Sequence, residues 1–149
     1  MSLSCRELAL NLCSILVNVR NFASQLSQFE KLGPISSIPQ WFKDNTRELV
    51  KLRYNSAHLS DLDYFNQLIR KMYSLSRSSD CKKQLSIVIS QESKTITAIL
   101  IYARKIILFE EKFTREYDYE PELHQRRYSK LFAEVDEIAK ELDLELPLL

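Results

Sequence analysis

The sequence predicts an all-α fold: a single-domain bundle of about five helices, two of them long, spanning residues 1–149. The chain has the length of one ordinary domain, with 45% hydrophobic and 28% charged residues, as in a soluble globular protein. It contains one glycine and four prolines, whereas tight hairpins and phosphate-cradling loops both require glycine. A sustained apolar repeat near the N-terminus completes the argument for helices.

The first helix is predicted by apolar residues spaced alternately three and four positions apart, which places them on one helical face. Ser4 followed by Glu7 is a capping-box start, and Gly33–Pro34 ends the helix. The repeat consists of Cys5, Leu8, Leu12, Ile15, Val19, Phe22, Leu26 and Phe29.

Two further helices are predicted in the next fifty residues. Pro39 suits the first turn of a second helix that runs to about Asn55. Its inward positions are Phe42, Leu49 and Leu52, with Trp41 beside them. A third helix opens at Ser60 or Asp61 and ends at the "SRSSD" segment. Its apolar positions are Leu62, Phe65, Leu68, Ile69 and Met72.

The segment from Cys81 to Tyr117 has two interpretations. Its β-branched runs, "QLSIVIS" and "TITAILIY", could pair as a hairpin across "QESK". That turn lacks Gly, Asn and Asp, so we favour one long helix over residues 85–113. The helical interpretation aligns Leu85, Ile89, Ile96, Ile99, Ala103, Ile106 and Phe113, with Glu92 and Glu110 as polar interruptions.

A last helix begins at Pro121, and the tail "ELDLELPLL" is expected to fray or to dock weakly. Apolar residues repeat the spacing of three and four at Tyr128, Leu131, Val135, Ile138 and Leu142.

The composition argues against several classes of protein. The net charge of +1 gives no general attraction to nucleic acid or to an anionic membrane. Three cysteines without a CxxC pair suggest neither a disulfide framework nor a zinc site, and indicate a reducing, cytoplasmic location. Arg6 and Glu7 interrupt the apolar N-terminus, unlike a signal peptide or a membrane span.

No metal or cofactor site is expected. Glu120 and His124 lie four positions apart, but metal sites in helical bundles typically include Glu-x-x-His pairs, which this sequence lacks. The single glycine also excludes the Gly-x-Ser-x-Gly elbow of many hydrolases.

Arg53 and His58 form the one pattern in the sequence whose side chains could catalyse a reaction together. A histidine can move a proton at a ribose hydroxyl while an arginine neutralises phosphate charge. The six residues from Arg53 to His58 resemble the Arg-x4-His motif of HEPN-family ribonucleases, which implies a helical dimer with a metal-independent RNA-cleaving site at its interface. Tyr54 stands where that family usually has a small polar residue, and the motif lies earlier than is usual. The alternative is a solvated arginine and a histidine near a helix end.

A basic stripe is predicted on the second helix, where Lys43, Arg47 and Lys51 recur every four residues. Such a stripe could bind phosphates or an acidic partner, although Asp44 and Glu48 are interleaved. Residues 43–83 carry nine basic and five acidic side chains, and residues 131–149 carry one basic and six acidic. RNA binding through the basic segment is a third, less favoured interpretation.

The outer surface of the first helix suggests an interaction surface. Its residues are mainly small and uncharged, including Asn18 and Asn21, with Arg20 the only charge after Glu7 up to Gln28. Helices that face water normally carry many charges, so we expect this face to be covered by other helices or by a second copy. The sequence therefore predicts a non-catalytic intracellular interaction or regulatory module that binds a protein partner or itself, with an HEPN-like ribonuclease as the alternative.

Overall fold

The computed structural model describes residues 3–31, 62–117 and 133–146, and it describes side chains at 3–21, 62–108 and 133–146. Within these ranges the chain is helical and contains no strand, so the prediction of an all-α fold is confirmed. The helices are α1 (Cys5–Lys31), α2 (Leu62–Ser76), α3 (Cys81–Tyr117) and α4 (133–141).

Helix α1 begins at the predicted cap. The backbone N–H of Glu7 donates to Ser4 Oγ over 3.1 Å, and the N–H of Leu8 donates to the Ser4 carbonyl over 2.9 Å. Two of the first backbone donors of the helix therefore have acceptors. The predicted apolar stripe is buried at Leu8, Leu12, Ile15 and Val19, and partly buried at Cys5.

The buried surface of α1 is wider than the predicted stripe. Ala9 and Leu16, which lie beside the stripe, are fully buried. Helix α1 packs against both α2 and α3, and contact with two neighbours covers a broader face than a single coiled-coil seam. Helix α1 therefore lies between α2 and α3 on its buried side.

Helix α2 corresponds to the predicted third helix. Its buried side chains include Phe65, Leu68, Met72 and Leu75. Leu62, the first apolar position of the predicted spacing, is 42% exposed because it lies at the end of the helix, one turn before the first buried residue. The predicted break follows α2, where tight turns form through hydrogen bonds from residues 77 and 78 to residues 74 and 75.

Helix α3 confirms the helical interpretation of residues 85–113 and excludes the hairpin. The prediction of one continuous helix needs a correction. Glu92 has non-helical dihedral angles (φ −116°, ψ 19°), and two helical segments meet there at a kink. Tyr64 on α2 donates a hydrogen bond of 2.5 Å from its hydroxyl to Glu92 Oε2. The kink is therefore attached to the neighbouring helix by a charge-assisted hydrogen bond.

Helix α4 packs its apolar side onto the same core through Val135, Ile138 and Ala139. It ends with Asp143 in the left-handed region (φ 55°). The N–H of Leu144 donates to the Ala139 carbonyl over 2.9 Å, and that of Asp143 to the Lys140 carbonyl over 3.2 Å, which is a Schellman cap. Leu142, Leu144 and Leu146 pack against the core, so this part of the tail docks.

Two predicted features lie outside the described residues: the second helix, at 39–55, and the start of the last helix, from residue 121 to residue 132. The predicted total of about five helices therefore stays a prediction. Among the described helices, none combines the length and the apolar character that crossing a bilayer requires.

Candidate interaction surfaces

The side of α1 opposite the core forms a nearly uncharged surface, which we call the outward face. Glu7, Ser14, Asn18 and Asn21 are exposed, and the remaining members are partly buried. No charged residue occurs on α1 between Glu7 and Arg20. The outward face consists of Glu7, Leu10, Asn11, Ser14, Val17, Asn18 and Asn21.

The centre of the outward face has a seven-residue repeat of its own. Glu7, Leu10, Ser14, Val17 and Asn21 are spaced three, four, three and four positions apart, so they form one stripe along the helix. Leu10 and Val17 supply apolar surface on this stripe, and the polar residues near them from Asn11 to Asn21 are short and uncharged, whereas Arg6 and Glu7 are charged residues at its start. This combination allows a second helix to approach closely without burying an unpaired charge.

Arg20, the cation at the far end of the outward face, is directed toward α2. Its Nη1 donates to Asn66 Oδ1 over 2.9 Å, and its Nε and Nη2 donate to Asn21 Oδ1 over 3.2 and 3.1 Å. These hydrogen bonds hold the guanidinium between the two helices. Asn21 therefore presents its side-chain NH₂ group at the edge of the outward face, while its Oδ1 is engaged by Arg20.

A second surface is an open groove of about 510 Å³ between α1 and the C-terminal half of α2. Arg70 and Arg77 are exposed, two helical turns apart, and neither forms a salt bridge with a described carboxylate. Two guanidinium groups on one stripe can bind carboxylates or phosphates. We call this the basic groove; it is lined by Cys13, Ile69, Arg70, Tyr73, Ser74, Arg77 and Ser78.

The position of Arg77 in the basic groove is fixed by an aromatic neighbour. Its guanidinium carbon lies 4.6 Å from the centre of the Tyr73 ring, and its Nη2 donates to the Tyr73 hydroxyl over 2.7 Å. The stacked geometry leaves other N–H groups of the guanidinium available to an anion. Tyr73 is 47% exposed, so its ring adds apolar contact area beside the cation.

A third feature is a pair of thiols that the fold brings together. Cys5 is the first residue of α1 and Cys81 the first of α3, and their Sγ atoms lie 2.6 Å apart although 76 positions separate them in sequence. Burial, followed by the hydrogen bond with Cys81, raises the pKa of the Cys5 thiol to about 11. The spacing of the cysteines in the sequence does not predict this pair. Each cysteine follows a helix-start residue, Ser4 or Asp80, which is the only signal that could have linked them.

The predicted site residues divide into two groups. Asn18 and Asn21 are exposed on the outward face. The basic stripe of Lys43, Arg47 and Lys51, the Arg53/His58 pair, and the Glu120/His124 pair lie outside the described residues. Among the described side chains, no three His, Cys, Asp or Glu residues are grouped so that they could hold a metal ion.

The chain matched no protein-family model, no curated protein and no solved structure. The candidate surfaces are therefore defined by the residues of this chain alone. They are the outward face of α1, the basic groove and the thiol pair.

Proposed function

We propose that this protein is a non-catalytic, intracellular interaction module that acts through protein–protein contacts and associates with itself through the outward face of α1. One observation carries the proposal. On a helix whose other side is the centre of the core, the exposed side from Glu7 to Asn21 combines two apolar residues with short, uncharged polar ones. A surface of this kind suits burial against another helix better than permanent contact with water.

The outward face favours a two-fold, antiparallel arrangement centred on Ser14. Glu7 and Asn21 lie seven positions on either side of that residue, and Leu10, four positions before it, lies opposite Asn18 and close to Val17 of the other copy. Glu7 of one copy then lies opposite Asn21 of the other, whose Oδ1 accepts hydrogen bonds from Arg20. The negative end of each face therefore meets the end of the other face that is next to a cation. A parallel arrangement would bring Glu7 close to Glu7 and Arg20 close to Arg20. Charge complementarity therefore selects the antiparallel, isologous dimer.

The basic groove supports contact with a protein partner as well. Its two guanidinium groups and the exposed ring of Tyr73 suit a segment that carries several carboxylates. The predicted stripe of Lys43, Arg47 and Lys51 would extend the same preference for acidic groups. RNA is the less favoured ligand, because the groove offers one exposed ring, and single-stranded nucleic acid is usually bound by several stacking platforms.

The remaining parts of the proposal concern the whole chain. We infer a single domain over residues 1–149 with about five helices, two of them long, which works in the cytoplasm without a metal or cofactor. The HEPN-like alternative depends on Arg53 and His58 and requires a cleavage assay of its own.

Site-specific cross-linking tests both the surface and its orientation. In the antiparallel dimer, Ser14→Cys forms a covalent dimer under mild oxidation, and a mixture of Glu7→Cys and Asn21→Cys proteins gives the heterodimer. Ser86→Cys, at an exposed position of α3, is the matched control and stays monomeric. Cross-linking of Glu7→Cys with itself would contradict the orientation, and equal cross-linking at Ser14→Cys and Ser86→Cys would contradict the surface.

A further inference from the structure

Cys5 and Cys81 lie close enough to form a disulfide with each other. Their Sγ atoms are 2.6 Å apart, within about 0.6 Å of the length of a disulfide bond. Each cysteine is the first residue of its helix, at the point where the bundle brings the starts of α1 and α3 together. We propose that Cys5 and Cys81 form a reversible disulfide by exchange with a low-molecular-weight disulfide such as oxidised glutathione, which fastens α1 to α3.

The exchange proceeds in two balanced steps. The Cys5 thiolate attacks one sulfur of the small disulfide, forms a mixed disulfide and releases one small thiolate, which takes up a proton. The Cys81 thiolate then attacks the Cys5 sulfur and releases the second small thiolate. The two cysteines lose two electrons and two protons in total, and the small disulfide becomes two thiols. A dithiol such as dithiothreitol reverses both steps.

The exposure of the two thiols sets the order of attack. Cys5 is partly exposed, whereas Cys81 is only 8% exposed. A small disulfide therefore reaches Cys5 first, and the buried Cys81 acts as the resolving thiol inside the bundle. This division into an accessible and a resolving cysteine is common in thiol pairs that respond to oxidants.

The local environment makes the exchange slow at neutral pH. Burial and the neighbouring Cys81 raise the pKa of Cys5 to about 11, so only a small fraction of this thiol is ionised near pH 7. Because the thiolate is the attacking species, the rate should rise as pH increases toward about 11. The pair therefore stays reduced in brief encounters with oxidant and is trapped as a disulfide only under sustained oxidation.

The third cysteine provides an internal control. Cys13 lies two turns further along α1, and its Sγ donates to the Ile69 carbonyl over 3.8 Å. Burial raises its pKa as well, so Cys13 differs from Cys5 in having no cysteine beside it within the described residues. A disulfide that formed by random oxidation would involve Cys13 as often as Cys81.

Peptide mapping tests the proposal directly. Trypsin cleaves after Arg6, Arg20, Arg77 and Lys82, so the three cysteines fall on separate peptides, 1–6, 7–20 and 78–82. The folded full-length protein is incubated with oxidised glutathione near pH 8, its remaining thiols are alkylated, and the digest is analysed by mass spectrometry.

The expected product joins peptide 1–6 to peptide 78–82, with a mass two hydrogen atoms below their sum, and it disappears after treatment with dithiothreitol. Cys13→Ser should form the same product, and Cys5→Ser and Cys81→Ser should not; circular dichroism checks that each variant is folded. Three results would overturn the proposal: full alkylation of Cys5 and Cys81, a stable glutathione adduct on Cys5 beside an alkylated Cys81, or a link from 1–6 to 7–20.

Discussion

Oxidation of Cys5 and Cys81 closes a covalent loop that contains α1 and α2, and the length of that loop sets its effect on stability. The two residues are 76 positions apart. In the chain-entropy model, a loop of this length destabilises the unfolded state by about 4.5 kcal/mol at 25 °C. The folded state changes little, because the two Sγ atoms are already almost at bonding distance. Allowing for strain in the native bridge, we expect a gain of about 3 to 4.5 kcal/mol.

Urea unfolding of matched oxidised and reduced samples measures this gain. With a slope of about 2 kcal/mol per molar urea for a domain of this size, the oxidised protein should unfold at a midpoint about 2 M higher. Cys13→Ser should show the same difference between its oxidised and reduced forms, and Cys5→Ser should show none. Equal midpoints for oxidised and reduced protein, with the bridge verified by peptide mapping, would show that the disulfide does not stabilise the fold.

Three further perturbations test other parts of the account. Tyr64→Phe removes the hydrogen bond at the α3 kink and should lower the free energy of unfolding by about 1 to 2 kcal/mol, whereas Tyr73→Phe at an exposed position should change it by less than about 0.5 kcal/mol. Burial, followed by the hydrogen bond to Glu92, raises the pKa of Tyr64 to about 12, so the stabilisation by its neutral hydroxyl is complete below about pH 10 and is lost as the pH rises toward 12. The Tyr64→Phe deficit should therefore shrink in urea curves at high pH. The protein should bind a fluorescent ten-residue polyglutamate peptide at low salt, as measured by anisotropy, and replacing Arg70 and Arg77 by Gln should abolish this binding. Unchanged binding by the variant, or preference of the protein for an RNA oligomer over the peptide, would contradict the proposal of an acidic partner. Single-stranded RNA incubated with the protein in EDTA should stay intact, and products that disappear with His58→Ala would establish the ribonuclease alternative instead.

Local patterns in the sequence were sufficient to predict the described helices. The Ser4 cap and the apolar repeat located the start of α1 and most of its buried side, because both depend on residues within a few turns. The lack of turn-forming residues in "QESK" favoured a helix over a hairpin for the same reason. These predictions needed only the order of residues within one helix, and no contact between helices.

Features that depend on contacts between helices were not predictable. Ala9 and Leu16 are buried because α1 has two neighbours, which its own repeat cannot reveal. The sequence near Glu92 contains no Gly or Pro from which a kink could be predicted. The residue is hydrogen-bonded to Tyr64, which lies on another helix. The meeting of Cys5 with a cysteine 76 positions away likewise depends on which helix starts lie together.

The interpretation of Asn18 and Asn21 depends on both the sequence and the structure. The sequence showed that their side of the helix is almost uncharged, and the structure leaves both residues accessible on the chain. No helix among the described residues covers either side chain, and the proposal therefore takes a second copy as the covering surface.

Light scattering over a dilution series measures the proposed self-association. The wild-type protein should have about twice the 17.5 kDa chain mass at high micromolar concentration and approach the chain mass on dilution. Changing Asn18 and Asn21 to Glu places carboxylates in a dry contact, which should weaken association more than a hundredfold and give a monomer throughout. Changing Ser86 and Ser90, exposed on α3, to Glu adds the same charge elsewhere and should leave the dimer intact. A wild-type chain that has the monomer mass at high micromolar concentration would contradict self-association through the outward face.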